Sequence, residues 1–115
     1  NLNHSDLINP INQLSNKTEI NIEKLKIAYL TEEFNKNKNT ITKLQNLLKE
    51  ANNLKPTIKD KEQINKIIDI IENQIEILKI KQLSDEYEKN INNISKLESL
   101  LKESKQIKNT IKHQK

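Results

Sequence analysis

The stretch LTEEFNKNKNTITKLQNLLKE, Leu30 to Glu50, decides the fold, because it returns 53 residues later as LSDEYEKNINNISKLESLLKE, Leu83 to Glu103. The aromatic residue and the block KLxxLLKE keep their places in both copies, which chance similarity in a low-complexity chain does not explain. We interpret the match as a tandem duplication. It predicts a single helical module over residues 1–115, built from repeats at about 4–56 and 57–109.

Within each copy the apolar residues follow a heptad pattern, which is typical of coiled-coil packing. The sequence therefore predicts an all-α, elongated antiparallel helical bundle with coiled-coil-like packing. Its expected core consists of six residues of the first copy and their counterparts in the second copy: Ile27, Leu30, Phe34, Ile41, Leu44 and Leu48, and Ile80, Leu83, Tyr87, Ile94, Leu97 and Leu101.

A third apolar stripe, Ile64 to Leu78, precedes the second heptad seam and is out of phase with it. At 100° per residue the two faces lie roughly 130° apart on one helix. The chain must therefore bend near residues 79–84 or contact more than one neighbour. Either outcome predicts a bundle of three or more helices, in which the third stripe packs on the two copies and the copies shelter each other.

Two asparagines, Asn37 and Asn90, fall at the same heptad position. A buried amide there would fix the helix register, whereas the Asn-rich stretches at residues 35–40 and 88–93 are also typical of turns. Both interpretations stay open, although the unbroken heptad favours helix.

One helix break is clear near residues 53–57, where NLKPT contains a proline that restricts the residue before it. Thr57 is the expected N-cap of the helix that follows. Pro10 is expected to end or kink a short leading helix. Thr31 and Ser84, each followed by two acidic residues, suit either a first helical turn or a position within a helix.

Composition excludes several classes of protein. The 115 residues contain no glycine and no cysteine, so glycine-rich phosphate loops, disulfides and zinc–cysteine sites are excluded. Mean hydropathy is −0.85 and 31% of residues are charged, yet the periodic Ile and Leu residues argue against disorder. The chain begins with Asn1, which predicts a fragment of a longer protein whose targeting segment lies elsewhere.

The sequence offers little that could support catalysis. The two histidines, His4 and His113, lie at the ends of the chain. Carboxylate pairs with i,i+4 spacing recur in both copies as Glu19/Glu23 and Glu72/Glu76. A di-metal site would add a Glu-x-x-His pattern, which the chain lacks. We therefore predict that the protein is not an enzyme and has no catalytic residue, cofactor or metal site.

Nucleic-acid binding is an alternative, because the sequence pI is about 9.2 and every basic side chain except the two histidines is lysine. Only the tail from Lys102 to Lys115 is decidedly basic, and it contains no arginine, the preferred ligand for phosphates and base edges. A nucleic-acid partner is therefore not favoured. Binding from several phosphate contacts would weaken steeply with salt, which gives a direct test.

The glycine-free, Lys/Asn/Ile/Leu-rich tandem repeat with coiled-coil seams resembles repeat-cassette surface adhesins of AT-rich bacteria, notably the variable adherence-associated antigen of mollicutes. It is also similar in style to helical merozoite surface proteins of malaria parasites. The resemblance rests on composition and repeat style over the whole chain and carries over no functional residue. It implies an extracellular or cell-surface protein, anchored by sequence outside this fragment, whose number of cassettes varies while it binds host cells.

We therefore expect a non-enzymatic repeat module of a surface adhesin or antigen that mediates protein interaction or host-cell attachment. Its expected partner is a protein or a host-cell receptor that meets the polar faces, and its helices can also support self-association. The binding residues are not identified by the sequence. The first alternative is an intracellular coiled-coil scaffold, and the second is the lysine-rich nucleic-acid binder.

Overall fold

The computed structural model describes the backbone of residues 4–111 and the side chains of residues 6–111. This part of the chain has four α-helices and one short 3₁₀ turn: α1 His4–Asn37, α2 Ile41–Leu54, the 3₁₀ turn Lys55–Thr57, α3 Lys61–Lys89 and α4 Ile94–Thr110. The molecule measures 87 × 25 × 20 Å along its principal axes. The prediction of an all-α, elongated helical bundle is confirmed.

The core lies in a bundle of three helices at the middle of the molecule, which we call the first bundle. It is formed by the C-terminal half of α1, by α2, and by the N-terminal half of α3. Its buried residues are Leu30, Leu44, Leu47, Ala51, Ile58, Ile64, Ile68, Ile71 and Ile75. The predicted packing of the third stripe on the first copy is therefore confirmed, and burial of these aliphatic side chains is the main force that holds the bundle together.

Contacts at both ends of the first bundle show how its outer helices run. Lys59 Nζ lies 2.8 Å from Glu19 Oε2 at one end, and Gln74 Nε2 donates to the Lys38 carbonyl over 2.7 Å at the other. Residue numbers increase in the same direction along both helices, so α1 and α3 are parallel. The helix between them, α2, returns antiparallel to both.

The stretches around Asn37 and Asn90 are turns, so the interpretation of continuous helix there is wrong. Asn37 is the last residue of α1, and Asn90 is the C-cap of α3. Each side-chain amide donates to the carbonyl four residues earlier, over 2.9 and 2.8 Å. Asparagine competes with the helix through such local bonds. The heptad pattern continues across each turn because the two helices that the turn joins pack their apolar faces against each other.

The break near residues 53–57 is the 3₁₀ turn between α2 and α3, but Thr57 does not cap α3. Its hydroxyl donates to the Leu54 carbonyl over 2.6 Å. The N-cap is Asp60, whose carboxylate accepts from the amide of Gln63 over 3.3 Å. The prediction placed the cap three residues too early because the 3₁₀ turn extends the connection.

Three other local predictions concern Pro10, Thr31 and Ser84. Pro10 lies inside α1, so the expectation that it ends a short leading helix is wrong, and a kink there stays a prediction. Since α1 begins at His4, this proline falls in the second turn and removes one backbone hydrogen bond. Thr31 and Ser84 lie within helices, which leaves their first-turn interpretation wrong, and the Thr31 hydroxyl donates to the Ile27 carbonyl over 2.9 Å.

The second copy is not buried as the sequence predicts. Leu83 and Leu97 are half-buried, whereas their neighbours Ile80, Tyr87, Ile94 and Leu101 are exposed. α3 runs without a break from Lys61 to Lys89 and contacts different neighbours along its length: α1 and α2 with its first half, and α4 with its second. The third stripe covers the heptad seam of the first copy but not that of the second, so the expectation that the two heptad seams shelter each other is wrong.

The second helix of each hairpin begins at the equivalent position, at the offset of 53 residues. α2 begins at Ile41 and α4 begins at Ile94, and the preceding turns are closed by equivalent bonds. The Thr40 amide donates to the Asn37 carbonyl over 3.0 Å, and the Asn93 amide donates to the Asn90 carbonyl over 2.9 Å. The two hairpins, α1–α2 and α3–α4, are therefore equivalent in position, and the duplication stays the interpretation of the sequence.

Candidate functional site

A large open groove lies between the second half of α3 and α4. Its volume is about 960 Å³. We call it the α3–α4 groove. It is lined by Ile80, Leu83, Ser84, Tyr87, Glu88, Leu97, Leu100, Leu101, Ser104, Ile107, Lys108 and Ile111. Eight of these twelve side chains are aliphatic or aromatic, so the groove offers an apolar surface to water.

The local sequence explains why this hairpin forms without a third helix. Asn93 caps α4, since its side-chain oxygen accepts from the Lys96 amide over 3.1 Å. The turn then directs α4 back along α3, and each helix turns its apolar stripe toward the other. Two helices cannot enclose both stripes, which leaves Tyr87 47% exposed and Leu101 57% exposed.

The same positions are closed in the first bundle. Leu30 and Leu44 are fully buried, whereas their counterparts Leu83 and Leu97 are only half-buried. The first hairpin is covered by the N-terminal half of α3, whose Ile64 and Ile71 are also fully buried. The α3–α4 groove is therefore the counterpart of a surface that a helix covers elsewhere in the same chain.

A second apolar surface lies on the N-terminal half of α1. We call it the N-terminal stripe, and it consists of Leu7, Ile11, Leu14, Ile22 and Leu25. All five side chains are exposed. The spacings of three, four and eight residues place them on one helix face. This half of α1 extends beyond the first bundle, so its stripe is open to solvent.

The carboxylate pair Glu19/Glu23 joins α1 to the start of α3. Glu19 pairs with the Lys59 ammonium over 2.8 Å. Glu23 Oε1 accepts from the backbone amides of Lys59 and Asp60, the latter over 3.3 Å. The hydrogen bond and the negative charge of Glu19 raise the pKa of Lys59. The pair therefore acts as a structural contact near a helix N-terminus, where negative charge is favourable.

A smaller cavity of about 250 Å³ lies between α1 and α2. At its edge the Tyr29 hydroxyl donates to Glu50 Oε2 over 2.8 Å. This hydrogen bond, together with burial and the charge of Glu50, raises the pKa of Tyr29. The contact links two helices of the first bundle across an exposed surface.

The predicted absence of catalytic and metal sites stays a prediction. His113 and the side chain of His4 lie outside the described part of the chain. Among the side chains that the structure describes, no group of three or more His, Cys, Asp and Glu residues could hold a metal ion. Glu72 and Glu76, the second predicted pair, lie in α3.

The described helices also bear on the membrane and the basic tail. From residue 4 to residue 111, no helix combines the length and the apolar character that a membrane span requires. The basic tail enters the described region through α4, and residues 112–115 lie outside it. There Lys102 and Lys108 alternate with the acidic Glu98 and Glu103, which lowers the net positive charge of the helix.

The fold and the groove define an elongated helical-bundle protein with an uncovered apolar surface. No protein-family model, no curated protein and no solved structure matches the chain. The function is therefore argued from the chemistry of the groove and the stripe.

Sequence reasoning did not find the α3–α4 groove, although a signal was present. The two stripes of α3 point in directions roughly 130° apart, which requires two sets of neighbours. Within residues 4–111, two helices cover Ile64 to Leu78, but only α4 faces Ile80, Leu83 and Tyr87. A count of the helices available to cover each stripe would have indicated that the second stripe lacks a covering helix.

Proposed function

We propose that the chain is a non-enzymatic repeat module of an elongated surface adhesin or antigen, and that it mediates protein interaction. The observation that carries this proposal is the α3–α4 groove. An exposed apolar surface of this size on an otherwise charged helical protein is typical of an interaction site. Its walls hold Leu, Ile and Tyr side chains, and the arrangement resembles the receptor side of helix-in-groove recognition.

The dimensions of the groove favour a helix as its occupant. α4, which forms one wall, is 17 residues long, and this corresponds to about 25 Å of helix. The groove is open along this length and is bordered by the polar residues Ser84, Glu88 and Lys108. A small ligand would leave most of such a surface exposed to water, whereas an amphipathic helix would cover it.

The elongated shape of the chain supports a role for the module as a spacer within a longer protein. The molecule is 87 Å long and at most 25 Å wide. Its two hairpins are equivalent at an offset of 53 residues, so further units of the same kind would lengthen the rod. From the resemblance to repeat-cassette adhesins we infer that the module acts at the cell surface and that its partner is a component of the host cell.

Cell binding tests the adhesin function directly. The full 115-residue chain, labelled with a fluorophore, is incubated with cultured epithelial cells at physiological salt. We expect saturable binding that excess unlabelled chain displaces and that trypsin treatment of the cells reduces. The absence of saturable binding would overturn the adhesin function and leave an intracellular scaffold as the alternative.

The groove has a matched pair of variants for this experiment. Ile80→Lys/Leu101→Lys places two charges in the α3–α4 groove, and Ile70→Lys/Ile77→Lys places two charges on exposed positions of α3 outside it. Loss of cell binding in the first variant alone assigns attachment to the groove. Equal binding by both variants assigns attachment to the polar faces of the rod.

A further inference from the structure

The α3–α4 groove has a filled counterpart in the same chain. Nine of its twelve lining positions lie 53 residues after residues of the first bundle, of which five are buried in its core and four are half-buried against it. Leu83, Leu97 and Ile111, for example, correspond to the buried Leu30, Leu44 and Ile58. The first bundle therefore shows which element belongs on such a surface: the N-terminal half of α3.

The N-terminal stripe is the counterpart of that covering element. Four members of the stripe lie 53 residues before four residues that pack in the first bundle: Ile11, Leu14, Ile22 and Leu25 precede Ile64, Ile67, Ile75 and Leu78. Both sets lie on one face of a helix at the same spacing. The chain therefore has an open groove between α3 and α4. On α1 it also has side chains equivalent to those of α3 that cover the first hairpin.

One copy cannot fill its own groove. Glu19 and Glu23 hold α1 against the start of α3 through Lys59, whereas the groove begins at Ile80. These two points of α3 are separated by about 30 Å of continuous helix. The N-terminal half of α1 extends away from the groove, so the occupant must come from another molecule.

We propose that the N-terminal stripe of a second copy of this chain docks in the α3–α4 groove, so that copies join head to tail. The inference rests on the proposed function, because it takes the groove as the interaction surface of the module and names its partner. The contact joins two different surfaces, so each added copy presents a free stripe at one end and a free groove at the other. Such an interface builds open chains instead of closed dimers.

Two polar residues set the strength of the contact. Ser15 and Thr18 stand where the covering helix of the first bundle has Ile68 and Ile71. The docked helix would bury less apolar surface than α3 does, and association also loses the translational freedom that an intramolecular contact keeps. Self-association is therefore reversible and depends on protein concentration.

Sedimentation of the full chain tests the proposal with two variants. Ile11→Lys/Leu14→Lys charges the stripe, and Ile80→Lys/Leu101→Lys charges the groove; all four positions are exposed, so the fold is retained. We expect the wild-type mass to rise above 13.5 kDa with concentration, while each variant alone stays at 13.5 kDa. Circular dichroism of both variants should show the helix content of the wild type.

Mixing the variants gives the decisive result. The stripe variant keeps an intact groove and the groove variant keeps an intact stripe, so a 1:1 mixture should form a species of twice the monomer mass and nothing larger. The control Ile70→Lys/Ile77→Lys, at exposed positions outside both surfaces, should associate as the wild type does. Self-association by the stripe variant alone would show groove-to-groove pairing and overturn the proposal, as would a monomeric wild type at about 1 mM.

Cross-linking locates the contact. In the first bundle Gln74 donates to the Lys38 carbonyl, and the counterparts of these residues are Asn21 and Ile91. Since the chain has no cysteine, Asn21→Cys and Ile91→Cys introduce unique thiols. A copy with the first substitution should cross-link to a copy with the second through a short bismaleimide. Cross-linking that occurs only between identical single-cysteine copies would contradict head-to-tail docking.

The outcomes separate this inference from the proposed function. Saturable cell binding by a chain that stays monomeric would overturn the inference and leave the adhesin function standing. Self-association without cell binding would support the inference and overturn the adhesin function.

Discussion

Leu44 and Leu97 occupy equivalent positions in the two hairpins, yet Leu44 is fully buried and Leu97 is half-buried. The difference arises from the neighbour: α3 covers the first hairpin, and within the described chain no equivalent helix covers the second. Burial thus distinguishes two leucines that the repeat makes equivalent.

Truncation of these two leucines should have unequal effects. Leu44→Ala should lower the free energy of unfolding by about 2–5 kcal/mol, because it leaves a cavity in a packed core. Leu97→Ala should lower it by about 1–2 kcal/mol, since part of that side chain is already in water. Urea unfolding followed by circular dichroism of dilute protein measures both. Equal losses would contradict the uncovered second hairpin.

The contact of Glu23 with the start of α3 should protect two backbone amides. Glu23→Ala removes the acceptor for the amides of Lys59 and Asp60, so both should exchange with solvent faster than in the wild type. Amide hydrogen exchange by NMR gives the measurement. The matched control is Glu32→Ala, which breaks only the exposed pair with Lys36 and should leave exchange at residues 59 and 60 unchanged.

Stability should fall in alkaline solution. The hydrogen bond with Glu19 raises the pKa of Lys59, and the hydrogen bond with Glu50 raises the pKa of Tyr29. A group whose pKa is raised by folding contributes stability that is complete below its unfolded pKa and is lost as pH rises through the folded pKa. Both contributions therefore disappear above about pH 10. Melting temperatures between pH 8 and 11 should show the decline.

Absorbance at alkaline pH isolates the tyrosine. In a Tyr87→Phe background, titration of the phenol reports Tyr29 alone, since the chain has two tyrosines. Glu50→Gln should move this titration to lower pH, because it removes the carboxylate that accepts the hydrogen bond of the phenol and whose negative charge opposes ionisation. An unchanged titration would show that Glu50 does not control the Tyr29 pKa.

The N-cap residues of α2 and α4 can be interchanged by mutation, and this tests whether the two turns are equivalent. Thr40 and Asn93 are equivalent and have nearly the same backbone angles, but Asn93 bonds the Lys96 amide whereas Thr40 makes no side-chain cap bond. Thr40→Asn should raise the free energy of unfolding by less than about 1 kcal/mol, and Asn93→Thr should lower it by a similar amount. Urea unfolding checks both, and a loss of stability in Thr40→Asn would contradict the equivalence of the two turns.

The sequence predicted the helices and much of the first core, because the period of the Ile and Leu residues defines one apolar face per helix. Leu30 and Leu44 were expected in the core and are fully buried. The pattern does not specify which neighbour covers a face, and for that reason Ile80, Tyr87 and Leu101 were expected in the core but are exposed.

The turns show a second limit. A heptad that continues across Asn37 and Asn90 is compatible with one long helix and with a hairpin whose two helices share a seam. At each turn the asparagine amide bonds to the carbonyl four residues earlier, a local contact that an apolar pattern does not contain. The α3–α4 groove could not be read from the pattern for the same reason, since it depends on how the helices fold back.

α3 covers the first hairpin with its N-terminal half and forms the second hairpin with its C-terminal half, so one continuous helix joins the two. The helical repeat of α3 therefore sets the direction in which the second hairpin faces. A single residue inserted between Leu78 and Ile80 would rotate everything beyond it by about 100° around the rod and advance it by about 1.5 Å. Only insertions or deletions close to a whole number of helical turns, such as about 7, 11 or 18 residues, would keep the direction in which the α3–α4 groove faces, so changes in the length of α3 are constrained to such increments.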